Sequence, residues 1–214
     1  MLRVGLTGGI AAGKSAVGEM FVELGAHLIQ ADAIAHALML PGETVYREVV
    51  RNFGDGILNP DSTVNRARLA EAAFSGAASG GSKSRIEELN RIVHPTVIQR
   101  QEEWMDEMGL RDAAAIAIVE AALILEAGAG KSFDRLVVVT CRPEQRVERW
   151  AKRMGVDKET ARREVSRRMA AQLSDEEKMM AADFVIDNSG SLDQARARVK
   201  EVYSELKKLS RART

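Results

Sequence analysis

The chain has 214 residues, which suits one α/β domain of ordinary size with room for inserted subdomains. Lysine and arginine together number 31, as do aspartate and glutamate, so no basic excess indicates a nucleic acid or a membrane as partner. The single cysteine, Cys141, excludes an internal disulfide framework, and no apolar stretch approaches the roughly 20 residues of a membrane span. The first predicted strand begins at Leu2 and leaves no room for a signal peptide, so we expect a cytoplasmic protein that is a monomer or a weak homo-oligomer.

The first predicted elements surround a glycine-rich loop. Residues 2–7 form a short apolar run typical of a buried strand, and apolar residues at helical spacing follow from Val17 until Gly25. Between them, residues 8–15 read GGIAAGKS and match the pattern G-x-x-x-x-G-K-[S/T]. A strand, this loop and a helix in that order are typical of a phosphate-binding loop (P-loop); the alternative is a chance Gly-rich turn.

The residue types of this loop suit a phosphate ligand. Gly8 and Gly13 let successive backbone N–H groups turn inward, and the start of the helix adds its positive dipole. Lys14 is expected to reach the β- and γ-phosphates, and the Ser15 hydroxyl to bind Mg²⁺. The nucleotide contacts predicted in this segment are Gly9, Ala11, Ala12, Gly13, Lys14, Ser15 and Ala16.

The next predicted strand, residues 27–29, brings Asp32 to the carboxyl end of the sheet, where ligands bind in parallel α/β proteins. A carboxylate there can accept the proton of a substrate hydroxyl, and it can also cap the helix predicted over residues 33–40. Residues 41–109 look helical and lack a strand, which indicates an insertion where a kinase would bind its acceptor. Within this insertion we expect a mobile Gly/Ser-rich surface loop over residues 76–84 and a packing role for His94.

Three more strands are predicted, over residues 116–119, 136–140 and 184–186, and an apolar helical stripe closes the chain. Glu120 follows the first of these strands and resembles the Walker B carboxylate, which holds Mg²⁺ directly or through water. The alternative is an acid that leads a helix and binds no metal.

Residues 142–168 carry ten cations against five acids in a chain that is otherwise balanced. One interpretation is a solvated helix pair with ion pairs such as Glu148–Lys152 and Glu159–Arg163. The other is a hinged helical hairpin, a lid, whose arginines neutralise a transferring phosphoryl group.

Together these motifs resemble the dephospho-CoA kinase family over nearly the whole chain. The matching segments are LTGGI and GKS in the P-loop, QAD at residues 30–32, HP at residues 94–95, ALILE at residues 122–126, RMAAQ at residues 168–172, and AD and IDN at residues 182–188. Two positions depart from the family pattern: Gln30 replaces the first aspartate of D-A-D, and Ala122 replaces a proline. Gln30 cannot act as a base, so Asp32 is the only carboxylate of that pair.

The resemblance implies an α/β fold with a five-stranded parallel sheet in the order 2-3-1-4-5 and helices on both faces. The implied parts of this single domain are a P-loop kinase core (residues 1–33, 110–141 and 176–214), a helical substrate subdomain (34–109) and a helical lid (142–175).

The resemblance also implies that ATP, with Mg²⁺, phosphorylates the ribose 3′-hydroxyl of dephospho-CoA to give coenzyme A and ADP. In that reaction Asp32 would be the base, and Lys14 would hold the phosphates. Arg149, which matches the arginine at the base of the family's lid, would stabilise the transition state, with Arg153 and Arg168 as further candidates. Asn188 lies in the segment similar to the family's adenine-side loop and is a candidate contact to the base.

Three rival functions start from the same P-loop. Another small-molecule kinase would share the architecture but not the substrate-domain motifs. A GTP-binding switch requires N-K-x-D, which the chain lacks. A regulatory ATP-binding module would need neither Asp32 beside the P-loop nor a basic lid.

Overall fold

The computed structural model describes residues 1–74 and 85–212, so the loop predicted over residues 76–84 lies outside it. The chain divides into two compact units. One comprises Met1–Gln30 with Met105–Thr214, and the other comprises Ala31–Trp104. Within the described ranges, no helix is both long enough and apolar enough to cross a membrane.

The first unit is built on a parallel sheet of five strands in the order β2-β3-β1-β4-β5, which confirms the predicted fold class and strand order. The strands are β1 (Leu2–Gly8), β2 (His27–Gln30), β3 (Ile116–Glu120), β4 (Arg135–Thr140) and β5 (Phe184–Asp187). Each strand extends one residue beyond its predicted range: β4 begins one residue earlier, and the other four end one residue later. A residue at the end of an apolar run can still pair with its neighbour in the sheet, whatever its polarity. Gln30 and Glu120, for example, are register partners in β2 and β3.

Helices precede and follow these strands along the chain. In this unit they are α1 (Lys14–Glu23), α6 (Pro143–Met154), α7 (Lys158–Ala170), α8 (Asp175–Met180) and α9 (Leu192–Arg211). The helices of the second unit are α2 (Ala31–Leu38), α3 (Thr44–Phe53) and α4 (Arg66–Phe74), and α5 (Ile86–Arg111) belongs to both units. The helical hairpin predicted over residues 142–168 corresponds to α6 and α7, which pack against each other; its role as a lid stays a prediction.

The core of the first unit lies on both faces of the sheet. Alternate residues of β1, among them Val4 and Leu6, pack with the apolar stripe of α9 and with Phe21 of α1. On the opposite face, Leu136 and Val138 pack against the segment that follows β3. This alternation is the period-2 pattern of a sheet that is covered on both sides.

The second unit contains helices and no named strand among its described residues, as predicted. Val45 and Val49 form the buried stripe of α3, and a lone antiparallel bridge between Leu58 and Val64 closes the loop that follows it. The expected packing role of His94 is wrong, because this side chain is exposed on α5.

Candidate active site

The P-loop joins β1 to α1 through a backbone that only certain residues tolerate. Gly8 lies so close to β4 that a Cβ atom would collide with the carbonyl oxygen of Val139. Gly13 has a φ of 98°, in the left-handed region that favours glycine, and it is the N-cap of α1. Ala11 also has a left-handed φ, 54°, a conformation that is uncommon for a residue with a Cβ atom and that recurs at ligand-binding sites.

Lys14 lies along this loop. Its Nζ donates hydrogen bonds to the carbonyl oxygens of Gly8 and Gly9, at 3.0 and 3.2 Å. These bonds hold a long, flexible side chain against the loop.

Arg149 and Asn188 meet at one carbonyl group of the P-loop. Arg149 Nη1 and Asn188 Nδ2 both donate to the Ala12 oxygen, at 3.0 and 2.9 Å, and Arg149 Nη2 donates to the Asn188 oxygen at 2.8 Å. Asn188 reaches this point because it directly follows β5, where its N–H donates to Thr140 at the end of β4. The structure thus brings together two residues that the sequence predicted separately.

Glu120 connects the carboxyl ends of β2 and β3 to the start of α1. Its side chain is buried, with Oε1 accepting a hydrogen bond from the Ser15 hydroxyl at 2.8 Å and Oε2 accepting one from Gln30 Nε2 at 2.9 Å. Glu120 ends β3 and is followed by turns rather than by a helix, so it does not lead a helix. A carboxylate and a hydroxyl next to a phosphate loop are oxygen ligands of the kind that Mg²⁺ prefers.

Asp32 belongs to the second unit, where its exposed side chain lies in the first turn of α2. The helix begins at Ala31 rather than at residue 33, so Asp32 is inside the helix and is not its N-cap. A negative charge in the first turn is favourable because it faces the positive end of the helix dipole.

Sequence reasoning missed Arg146, counting it only among the lid cations. Its side chain is 0% exposed, it pairs with Asp175, and it donates to the carbonyl oxygens of Ile10 and Cys141 at 3.4 and 3.5 Å. A signal was available, since Arg146 precedes the buried Trp150 by four residues and so shares its helical face.

The other predicted lid arginines lie elsewhere. Arg153 and Arg168 stack on Trp150, with ring-centroid distances of 4.6 and 4.7 Å, and Arg168 also pairs with Glu164. Cation–π contacts hold these two side chains within the hairpin. Arg149, in contrast, contacts a P-loop carbonyl group.

The predicted lid ion pairs are wrong in detail. Glu148 pairs with Lys158 across the hairpin, and Glu164 pairs with Arg167 and Arg168, whereas Glu148–Lys152 and Glu159–Arg163 do not form.

Cys141 lies directly after β4 and under the P-loop. Its Sγ is 3.8 Å from the Ala11 oxygen, and burial raises the pKa of the thiol although Arg146 and Arg149 partly oppose that shift. A cysteine that stays protonated in a tight site acts as a small packing residue.

Comparison with known proteins gives one consistent result. A family model for dephospho-CoA kinase matches residues 2–194. A dephospho-CoA kinase from Aquifex aeolicus is 38% identical over 96% of this chain and 98% of its own length, and one from Thermobifida fusca is 37% identical over 97% and 98%.

Solved structures agree with that result. A Thermus thermophilus protein superposes with a TM-score of 0.76 at 30% identity, covering 96% of this chain and 97% of its own. A dephospho-CoA kinase from Campylobacter jejuni shares the fold, with a TM-score of 0.66 at 24% identity over 96% of each chain. By its sequence over nearly its whole length, and by a P-loop core consistent with that match, the chain belongs to the dephospho-CoA kinase family.

Proposed function

We propose that the chain transfers the γ-phosphoryl group of ATP to the ribose 3′-hydroxyl of dephospho-CoA, giving coenzyme A and ADP. The observation that carries this proposal is the convergence of Arg149 and Asn188 on the Ala12 carbonyl of an intact P-loop, in a chain that matches the family along its length. A P-loop that already accepts a hydrogen bond from an arginine suits phosphoryl transfer, because positioning and charge stabilisation supply most of the catalysis in that reaction.

The donor nucleotide would be held by the backbone N–H groups of the P-loop and by Lys14. Arg149 would leave its carbonyl partners, or share them, to stabilise the charge that develops on the transferring group; such an arginine contributes roughly 10³–10⁵ in rate. Asn188 is placed beside Gly13 and is our candidate contact to the adenine side of the nucleotide.

Mg²⁺ fits the residues present. Within the described residues no group of three or more His, Cys, Asp or Glu could hold a metal, so the ion would rely on Ser15 and Glu120 together with water and phosphate oxygens. That arrangement is usual for Mg²⁺, which keeps several waters and takes few protein ligands. When bound, the ion neutralises phosphate charge.

Asp32 is our candidate general base. It follows Gln30 by two residues, and the Gln30 side chain donates a hydrogen bond to Glu120 at the carboxyl end of the sheet. Acceptance of the hydroxyl proton by a positioned carboxylate contributes roughly 10²–10⁴-fold. Because Gln30 has no basic oxygen, the proposal assigns this step to Asp32 alone.

The test is an ADP-release assay with ATP, Mg²⁺ and a panel of acceptors: dephospho-CoA, adenosine, AMP, CMP and shikimate. We expect turnover with dephospho-CoA alone, and a loss of about 10²-fold or more in kcat for Asp32→Asn. Asp55→Asn removes another exposed aspartate of the same unit and serves as the control.

Turnover on a different acceptor would keep the fold and refute the substrate. Nucleotide binding without any turnover would support the regulatory-module alternative. We propose that the protein acts in the cytoplasm as a monomer or weak homo-oligomer. Its proposed substrates are small molecules, and we propose neither a nucleic acid nor a membrane as partner.

A further inference from the structure

Arg146 is the largest fully buried side chain of the described residues, and its guanidinium joins three separate parts of the first unit. Its terminal nitrogens reach Ile10 in the P-loop, Cys141 after β4, and Asp175 at the start of α8. Its Nε has no hydrogen-bond partner within the described ranges, so these terminal contacts are the ones that hold the group. A buried cation is costly unless it is paired, so the contact with Asp175 is what permits the guanidinium to be buried here.

The contact with Ile10 fixes the direction of a P-loop peptide group. Since the peptide unit is planar and trans, the N–H of Ala11 points opposite to the carbonyl oxygen of Ile10. Holding that oxygen on the Arg146 side therefore turns the Ala11 N–H to the other side of the loop. Arg149 and Asn188 act in the same way on the next carbonyl but one, that of Ala12.

Two further observations link Arg146 and the hairpin to the P-loop. A Cβ atom at Gly9 would collide with Arg146 Nη1, so the loop leaves space for the guanidinium. The Ile10 side chain packs in an apolar cluster with Trp150, Ala161 and Val165 of the hairpin formed by α6 and α7. Ile10 is thus bound to the lid hairpin through both its backbone and its side chain.

We propose that Arg146, paired with Asp175, is a positioning residue that holds the P-loop in its phosphate-binding shape and links it to the lid. It does not touch the substrate in this proposal; it acts through the Ile10 carbonyl. The proposal rests on ATP being the donor, as proposed above, and it assigns to Arg146 a role in ATP affinity rather than in the chemical step.

The chain contains a matched control for the stability of α8. Lys178, also 0% exposed, pairs with Glu126 Oε1 at 2.8 Å, and Glu126 also accepts the Leu173 N–H. This second buried ion pair anchors the same short helix, but none of its described contacts reaches the P-loop. Breaking it tests what loss of a buried ion pair does without disturbing Ile10.

The experiment compares Arg146→Lys, Asp175→Asn and the control Glu126→Gln. Arg146→Lys keeps the charge but replaces the planar fork by one ammonium group, which cannot reach Ile10, Cys141 and Asp175 together. Asp175→Asn keeps the shape and removes the counter-charge. The measurements are the Kd of ATP–Mg²⁺ by calorimetry without acceptor, kcat at saturating ATP, and the Tm.

We expect both Arg146→Lys and Asp175→Asn to weaken ATP binding by about tenfold or more, with kcat at saturating ATP within about threefold of wild type. Glu126→Gln should lower the Tm yet leave the ATP Kd within about twofold of wild type.

Wild-type ATP affinity in a folded Arg146→Lys variant would overturn the inference, as would an equal loss of affinity in Glu126→Gln. If Arg146→Lys does not fold, Asp175→Asn decides by the same criteria. A wild-type chain that binds no ATP contradicts the proposed function itself, so the two failures are distinguishable.

Discussion

Gln30 changes the surroundings of Glu120 relative to the family pattern. The family pattern has an aspartate at this position, whereas here an amide donates to Glu120 from the neighbouring strand. Two carboxylates side by side would repel each other, whereas an amide N–H donates to the Glu120 carboxylate and orients it. Gln30 is therefore expected to support Glu120, the proposed Mg²⁺ ligand, and not Asp32, the proposed base.

Gln30→Leu removes this donor while keeping much of the side-chain volume. Because hydrogen bonds that orient a metal ligand are commonly worth 10–100-fold in affinity, we expect the Mg²⁺ requirement to rise by about tenfold or more. The measurements are a Mg²⁺ titration of the ADP-release assay and Mn²⁺ binding to the ATP complex by electron paramagnetic resonance. Gln99→Leu, at an exposed position of α5, is the control, and an unchanged Mg²⁺ requirement in Gln30→Leu would contradict this role.

Arg149→Lys tests the transition-state role at the same scale. A lysine keeps the charge but cannot bridge the Ala12 and Asn188 carbonyls as the guanidinium does. We expect kcat to fall by about 10³-fold with the fold intact. Arg162→Lys, on the exposed side of α7, should have no effect; a kcat for Arg149→Lys within a few-fold of wild type would remove Arg149 from the mechanism.

Among the helices, α9 begins with a capping box that stabilises its first turn. The Ser191 hydroxyl accepts the N–H of Gln194 at 3.2 Å, and the Gln194 side chain accepts the N–H of Ser191 at 2.8 Å, which is a complete capping box. These bonds satisfy backbone donors that the first turn leaves free, so the apolar stripe of α9 can begin on the sheet without unpaired N–H groups.

Ser191→Ala is expected to lower the free energy of unfolding by about 0.5–2 kcal/mol because the N-cap acceptor is lost. Ser204→Ala lies in the exposed middle of the same helix, where alanine is the better helix former, and should cost nothing. Urea denaturation of both variants checks the difference, and equal stabilities would show that the cap contributes little.

The elements were largely predictable because each carries a local pattern. The strands are continuous apolar runs, and the P-loop context follows from a motif with a fixed backbone requirement. The start of α2 and the lid ion pairs were not predicted correctly. Long side chains such as Glu148 choose among several partners at similar free energy, and the choice depends on the neighbouring helix rather than on spacing along one helix.

At the scale of the whole molecule, a large buried cluster of the first unit lies on the face of the sheet that α1 and α9 cover. Leu206 is fully buried there among residues of the central core. Leu206→Ala should lower the free energy of unfolding by about 2–5 kcal/mol, since the deletion leaves a cavity as well as losing buried apolar surface.

Leu110→Ala provides the comparison, because that side chain is 90% exposed. Denaturant unfolding should show a much larger loss in the free energy of unfolding for Leu206→Ala than for Leu110→Ala. A small effect at Leu206 would mean that the core relaxes around the deletion, contrary to the close packing expected here.

The parts of the site that escaped prediction depend on this global arrangement. Glu120 and Gln30 are 90 residues apart and meet only because β2 and β3 pair in one register. Arg146 is one of ten cations in its segment, and its burial between Ile10 and Asp175 became visible only in three dimensions. Arg149 and Asn188 were named through the family resemblance, and their shared partner, Ala12, became visible only in three dimensions.

The position of Cys141 has a practical consequence for spectroscopy. The only thiol of the chain is buried under the P-loop, and its raised pKa leaves little of the reactive thiolate at neutral pH. Dyes attached through new surface cysteines will therefore label selectively without first replacing the native one. With one dye at Met154 on the exposed end of the hairpin and another at Leu110, energy transfer can test whether the hairpin moves when a nucleotide is added.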